Sequence, residues 1–243
     1  MKLYYDFHIH SALSPCGDED MTPNNIINMA MLKKLDAIAV TDHNIASNCS
    51  ACMALGRKNG IIVIPGMEVQ TKEEVHVLCL FETIEKIEAF GKELNTHFEW
   101  LPNSEEVLGC QLILDEDDRL IGKEKRLLIH SVDLSIYALV SLVHRYEGLA
   151  IPAHIDKRAF SLISNLGFIS PDLNVDAFEL YKMTTLEKFI SKNPMYRSYR
   201  YIFNSDAHYL HDISEREHWL EVEDMSIESI FKTLRKSSKG DAK

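Results

Sequence analysis

The chain of 243 residues is 46% hydrophobic and 26% charged, with ordinary glycine and proline content, which excludes collagen-like, coiled-coil and disordered classes. Lys and Arg number 26 against 37 Asp and Glu, a formal charge of −11, so no extended nucleic-acid or membrane-binding surface is expected and phosphate binding must be local. Five scattered cysteines, a start that runs directly into Met-Lys-Leu-Tyr-Tyr, and no apolar run near the ~18 residues of a membrane span predict a cytoplasmic protein.

Short apolar runs alternate with helical periodicity, the pattern of β-α units around a parallel sheet or barrel. A first strand is expected over 3–7. A helix follows with Thr22 as N-cap and Pro23 in its first turn, where the missing N–H has no partner to lose. Residues 37–40 read as a strand and 46–57 as a helix closed by Asn59-Gly60. Residues 61–64 form a buried strand ending in a turn at Pro65-Gly66, then come a strand over 75–81 and a helix over 83–94. The rhythm changes over 100–130, where 111–115 and 126–129 flank the polar Glu116-Asp-Asp-Arg and predict an inserted hairpin. The β-α pattern resumes with a helix over 135–146 and a strand over 148–153. Strands are expected at 177–180 and 201–204, and a last helix over 226–235. With no repeat or linker, one domain over 1–236 is predicted, with a polar, frayed tail over 237–243.

The polar residues that interrupt this pattern fall at strand ends. His8 and His10 are two apart, so on a strand both imidazoles point to one side. Asp42 and His43 follow the second strand, Glu68 the third, and His76 opens the fourth. His154 ends the strand over 148–153, and Asp206 and His208 follow the strand over 201–204. One His at a strand end more often caps or faces solvent. Chance would scatter the 11 histidines over helices and loops, whereas these gather where a β/α barrel builds its active sites. Cys49-x-x-Cys52 has no second pair and sits on a helix, which favours packing. Cys16 could approach a metal centre, while His97, His144, His211 and His218 read as surface residues and His130 as an outer neighbour of the centre at most.

These motifs, in this order, resemble the PHP (polymerase and histidinol phosphatase) family of metal-dependent phosphoesterases: His8-x-His10, Thr41-Asp42-His43, Gly66-Met-Glu68 with His76, Pro152-Ala-His154 and Ser205-Asp206-Ala-His208. The resemblance implies a distorted (β/α)7 TIM-like barrel of α/β class. It also implies three divalent metal ions, with Mn, Fe or Zn suiting the mixed His and carboxylate set and Mg a further choice. His8, His10, Glu68 and Asp206 would hold the first ion, and Glu68, His76 and His154 the second. His43 and His208 would hold the third with an acid from the loop after His10. That acid is Asp18, with Asp20 as the alternative, and the family offers no Cys ligand there. Asp42 would orient the shell by hydrogen bonding.

The reaction so implied is hydrolysis of a small phosphorylated metabolite, nucleotide or oligonucleotide end by metal-activated hydroxide, with Glu68, Asp206 and His208 at the catalytic centre. Lys157 and Arg158 are candidates for gripping the substrate phosphate, ahead of Arg197 and Arg200. Two other readings make different demands. An amidohydrolase-like barrel would call for a bridging modified Lys, where this chain carries Glu68. A non-catalytic PHP module would be expected to have lost ligands. Oligomeric state is not legible.

Overall fold

The alternating apolar runs become strands and helices in the structure, a computed structural model that describes residues 1–181 and 186–235. In chain order come β1 (Lys2–Ile9), α1 (Pro23–Leu32), β2 (Ala37–Val40), α2 (Cys49–Asn59), β3 (Ile62–Gln70), β4 (His76–Leu80) and α3 (Ile84–Leu94). Then follow α4 (Glu105–Leu108), β5 (Leu112–Leu114), β6 (Leu120–Lys123), α5 (Ile136–Arg145), β7 (Leu149–Pro152) and α6 (Leu162–Leu166). The described chain closes with β8 (Phe178–Leu180), α7 (Leu186–Lys192), β9 (Tyr201–Phe203), β10 (Trp219–Glu221) and α8 (Ile227–Arg235). The helix starts follow their caps: Thr22, Thr83 and Ser135 hydroxyls accept the N–H groups of Asn25, Lys86 and Ala138. Gly60, at φ 73°, ends α2 in the left-handed conformation that costs glycine least. The expected tail over 237–243 lies outside the described residues.

The result is a mixed α/β fold around a curled half-barrel of six strands in the order β10-β1-β2-β3-β4-β7. β1, β2 and β3 run parallel, but β4 is antiparallel to both β3 and β7, and β10 is antiparallel to β1. This departs from an all-parallel sheet. Only residues 71–75 separate β3 from β4, too few for the crossover that parallel neighbours need. The expected turn at Pro65-Gly66 is instead a change of partner within one strand. Residues 62–65 pair with β2, and 66–70 pair with β4. Gly66 is required there by space, since a Cβ would stand 2.7 Å from Leu80 Cδ2 and 2.8 Å from Thr41 Cγ2.

β8 and β9 form a separate parallel pair, tied to the sheet at both sides by backbone bonds of the flanking residues. Ile155 N–H donates to Glu179 O beside β7, and Ala207 N–H donates to His8 O beside β1. The inserted hairpin is present, but β5 pairs with 120–123 and not with 126–129. Asp115 Oδ1 accepts the Asp117 and Arg119 N–H groups, which folds the chain back early.

Interior packing divides by face. Leu3, Tyr5 and Phe7 join Ala37, Ala39 and Ile64 in one cluster, into which α8 inserts Ile230, Phe231 and Leu234. Ile9, Ile38 and Val40 pack on the other face against α1 and α2. Phe7 and Ile9, two apart, thus lie in different clusters, and the switch accompanies a register shift between Asp6 and Ile9. No helix among the described residues is long and apolar enough to cross a membrane.

Candidate metal centre

The strand ends bring eight of the side chains singled out in the sequence into one cup. β1 supplies His8, the residue after its end is His10, and the residues after β2 supply His43. Glu68 lies within β3 and His76 opens β4. His154 follows β7, and Asp206 and His208 follow β9. Glu68 sits at the focus, 1% exposed. Its Oε1 lies 3.2 Å from His8 Nε2, 2.9 Å from His76 Nδ1 and 3.3 Å from His154 Nε2. Its Oε2 lies 3.4 Å from His10 Nε2 and 3.2 Å from His43 Nδ1. Asp206 Oδ1 stands 3.2 Å from His8 Nε2 and 3.4 Å from His10 Nε2.

The outer hydrogen bonds settle which ring nitrogen faces the cup. Glu179 accepts from His8 Nδ1 at 3.0 Å, so the neutral His8 ring directs its Nε2 lone pair inward. The Ser14 hydroxyl donates to Asp42 Oδ1 at 2.7 Å, so its oxygen accepts from His10 Nδ1 at 2.9 Å, and the neutral His10 ring likewise carries its lone pair on Nε2. His208 Nδ1 donates to Asp206 O at 2.8 Å. Gln70 Nε2 donates to Ser131 Oγ, which orients the Gln70 carbonyl to accept His76 Nε2–H at 3.1 Å. Asp42 accepts Ser11 N–H at 2.7 Å and the Ser11 and Ser14 hydroxyls at 2.6 and 2.7 Å, so its oxygens are spent on holding the loop after β1.

The donor set fits metal ions. His8 Nε2 and His10 Nε2 face each other at 3.2 Å, and the buried Nδ1 of His43, which faces Glu68 Oε2, has no hydrogen-bond partner. A buried polar atom without a partner costs ~1–3 kcal/mol, and a cation is the missing partner that lone pairs and carboxylates share.

Charge inside the metal-free cup follows from the same contacts. Burial opposes the charged form of His8 and His10, but Glu179, Asp206 and Glu68 outweigh it at His8, while Asp206 and Glu68 push His10 up to about 9. Burial likewise opposes the charges of Glu68 and Asp206, yet the imidazoles hold both carboxyls below the usual range. Burial and then the charge on His10 lower His43, and push His208 down to about 4. Divalent ions at this focus would take over the neutralising role from the protons of His8 and His10.

His154 and Asp206 hold positive φ, 30° and 54°, as does Asn44 at 55° next to His43. Such backbone costs ~1–3 kcal/mol each and gathers at functional sites, where the surroundings impose it. For Asn44 the surroundings are visible: its side chain donates to Leu128 O and His130 O and accepts Gln70 N–H.

The cup opens into a cavity of about 560 Å³ whose lining includes Cys16, Gln70, Ile129, Lys157, Arg158 and Phe160. Lys157 Nζ bonds Asp206 Oδ2 and sits 4.3 Å from the Tyr181 ring centre. Arg158 is exposed at the mouth, and Phe160 stacks on His76 with centroids 4.8 Å apart. Arg197 and Arg200 are not in this lining, and Arg200 borders a separate cavity of about 650 Å³. Asp18 sits beside His208 through its backbone N–H, which donates to His208 O, while its Oδ1 accepts Asp20 N–H. The ligand-type atom from this loop that gathers with His10, His43 and His208 is the Cys16 sulfur, all four atoms lying within 4.8 Å of one another. Cys16 is exposed as a residue, but its thiol faces inward, where burial and then Glu68, Asp206 and Asp42 push its pKa up. Cys49 and Cys52 are buried and free.

Glu179 was not foreseen. Besides His8 it accepts His154 N–H at 2.7 Å and Asn204 Nδ2–H at 2.6 Å, so one buried acid fixes parts of two ligand-bearing strand ends. The signal was present in Ala177-Phe-Glu-Leu180: a charged residue in the middle of an apolar strand asks for a partner.

The PHP domain family matches residues 6–165, well over half of the chain. The chain belongs to the PHP domain family. An uncharacterized protein of Methanocaldococcus jannaschii is 31% identical to this PHP protein over 106 residues, covering 35% of this chain and 61% of the relative. Among solved structures, the lesion-specific endonuclease PfuEndoQ of Pyrococcus furiosus is similar with a TM-score of 0.70 at 21% identity, covering 97% of this chain and 56% of that one. An endonuclease Q in complex with a 27-mer duplex bearing an abasic lesion gives 0.68 at 22%, over 97% and 57% of the two chains. A candidate metal-dependent phosphoesterase of Bifidobacterium adolescentis gives 0.60 at 14%, over 97% and 96%. The PHP protein thus spans little more than half the length of endonuclease Q and about three fifths of its curated relative.

Proposed function

We propose that this PHP protein is a metal-dependent phosphoesterase that hydrolyses a small phosphorylated metabolite, a nucleotide or an oligonucleotide end. The observation that carries this reading is Glu68, a buried carboxylate ringed by the imidazoles of His8, His10, His43, His76 and His154 at 2.9–3.4 Å. In this reading His8, His10, Glu68 and Asp206 hold one divalent ion, and Glu68, His76 and His154 a second. His43 and His208 hold a third with a side chain from the loop carrying Cys16 and Asp18. Mn, Fe or Zn suits such a set, and Mg less well. Ions so held would lower the pKa of water at the site and draw off the charge that builds on phosphoryl oxygens. Glu68, Asp206 and His208 face the reacting centre. Lys157 and Arg158 anchor the phosphate at the mouth, Arg158 through its planar fork. Glu179, Ser14 and Asp42 hold the histidines in the tautomers that leave lone pairs inward.

The hydrogen bonds that tie β8 and β9 to β7 and β1 support reading the sheet as part of a distorted (β/α)7 barrel in one domain. Five free cysteines support a reducing cytoplasm. Against an amidohydrolase-like centre, the lysine of the cavity, Lys157, pairs with Asp206, and Glu68 occupies the focus. A nucleic-acid phosphodiester is the second substrate reading. It is favoured by the likeness to the endonuclease solved with damaged duplex DNA, and it would revise the expectation of no extended nucleic-acid surface.

The test is turnover by Mn-loaded protein on a panel of mononucleotides, aryl phosphate mono- and diesters, single-stranded oligonucleotides and duplexes with an abasic site. Hydrolysis of small esters or oligonucleotide ends supports the first reading, and internal cleavage of the duplex alone supports the second. No hydrolysis of any of them, with bound metal shown by elemental analysis, overturns both.

A further inference from the structure

We propose that Cys16 is a metal ligand of this protein: its thiolate, together with His43 and His208, holds the third divalent cation. The resemblance to PHP enzymes implies an acid at this place, so the thiolate would be this chain's own departure. The inference rests on the metal-binding reading of the cup and adds to it the identity of one donor and a preference among metals.

The case starts from the gathering of donors. The Cys16 sulfur and ring nitrogens of His10, His43 and His208 lie within 4.8 Å of one another, a spread that a single ion could draw together. His10 is claimed elsewhere. Both of its ring nitrogens are engaged, Nδ1 with Ser14 and Nε2 with Glu68 and Asp206, whereas His43 meets Glu68 through Nδ1 alone, so Cys16, His43 and His208 are the members of the gathering left for a further ion. His208 donates Nδ1–H to Asp206 O, so its Nε2 is a lone pair. His43 is buried between this group and Glu68: its Nδ1, an atom without a hydrogen-bond partner, lies 3.2 Å from Glu68 Oε2, so the ring borders both the focus and the Cys16 gathering.

Cys16 is held in place by its loop. Ser14 N–H donates to Ser11 O and Gly17 N–H donates to Ser14 O. A Cβ on residue 17 would stand 2.4 Å from Ser11 O, so glycine alone lets the loop close this tightly. The carboxylate of Asp18 is meanwhile bonded to Asp20 N–H. On binding, the Cys16 S–H bond breaks, its proton passes to solvent, and the sulfur lone pair bonds the cation, with no change in oxidation state. A thiolate with two imidazoles is a soft set that favours Zn or Fe(II) over Mn or Mg.

Cobalt(II) titration of the metal-free protein tests this, because a thiolate ligand gives a near-ultraviolet charge-transfer band that His and carboxylate sets lack. The wild type should show the band, and bound cobalt should protect one cysteine from alkylation by iodoacetamide, identified as Cys16 by peptide mass. Cys16→Ala should lose the band and one ion per chain while the other ions stay bound. Cys16→Asp should regain the ion without the band, and Asp18→Asn should keep both. Wild-type protein that binds cobalt without the band, or a band that survives in Cys16→Ala, overturns the assignment and leaves the metal-binding reading standing. Wild-type protein that binds no cobalt overturns both.

Discussion

The two ends of the β1 strand show opposite uses of burial. At its start, Leu3 and Tyr5 lie in an apolar cluster that α8 covers with Ile230, Phe231 and Leu234. At its finish, within a few residues, His8 and His10 are as fully buried as Leu3, but among Glu68, Asp206 and three further imidazoles. The first environment gains stability from every atom it removes from water. The second buries charge, leaves ring nitrogens without partners and holds His154 and Asp206 at positive φ, each a cost. One half of the fold therefore supplies the free energy that lets the other half remain strained, charged and ready for cations.

The sharpest break between the two regions is chemical. Glu68→Gln keeps the size of the side chain but removes the charge that five imidazoles face. It should abolish binding of at least one ion and lower phosphoester turnover by more than the ~100-fold that loss of an outer partner costs. Elemental analysis and steady-state rates check this, and a variant with full turnover would remove Glu68 from the centre. The converse change is Phe231→Ala at the covered end, where the side chain is 1% exposed. It should cost ~3–5 kcal/mol of stability, read by denaturant unfolding, while the folded fraction keeps its metal content and turnover. If Phe231→Ala instead strips metal without shifting the unfolding midpoint, the separation of roles fails.

The same division explains what could be read from the chain. Strands such as 37–40 and helices capped by Thr22, Thr83 and Ser135 were legible because pattern and cap are local. The eight inward donors were legible because buried His and acid at strand ends break an apolar pattern. What escaped depends on partners far along the chain. The antiparallel β4 looks like any buried strand until its short link to β3 is set beside the pairing. β10 is three residues long and rests on the far end of β1, with Trp219 beside Tyr4 and under Lys2. Glu179 makes sense only once His8, 171 residues away, is seen to need an acceptor for Nδ1.

Glu179 also gives the next prediction, because it sits in the layer that joins the two regions. Glu179→Gln keeps an acceptor but loses the charge that His8 and the His154 N–H now face. The His8 ring should lose part of its orientation and basicity, lowering metal affinity ~10–100-fold with the fold intact. Competition with a chelator of known affinity reads this out. Unchanged affinity would mean that strand packing alone orients His8.

The smallest effect is expected at the mouth, where solvent reaches both the protein and its ligand. Arg158 is exposed and lines the cavity, whereas Lys157 is engaged with Asp206. Arg158→Ala should raise KM for a phosphate monoester about tenfold, the worth of a charge-assisted hydrogen bond in a wet site, and leave kcat and metal content in place. Arg158→Lys should recover part of that loss, since a lysine keeps the charge but not the two parallel N–H groups. A fall in kcat with KM unchanged would place Arg158 with the reacting phosphoryl group and move the working boundary of the centre outward from the imidazoles to the rim.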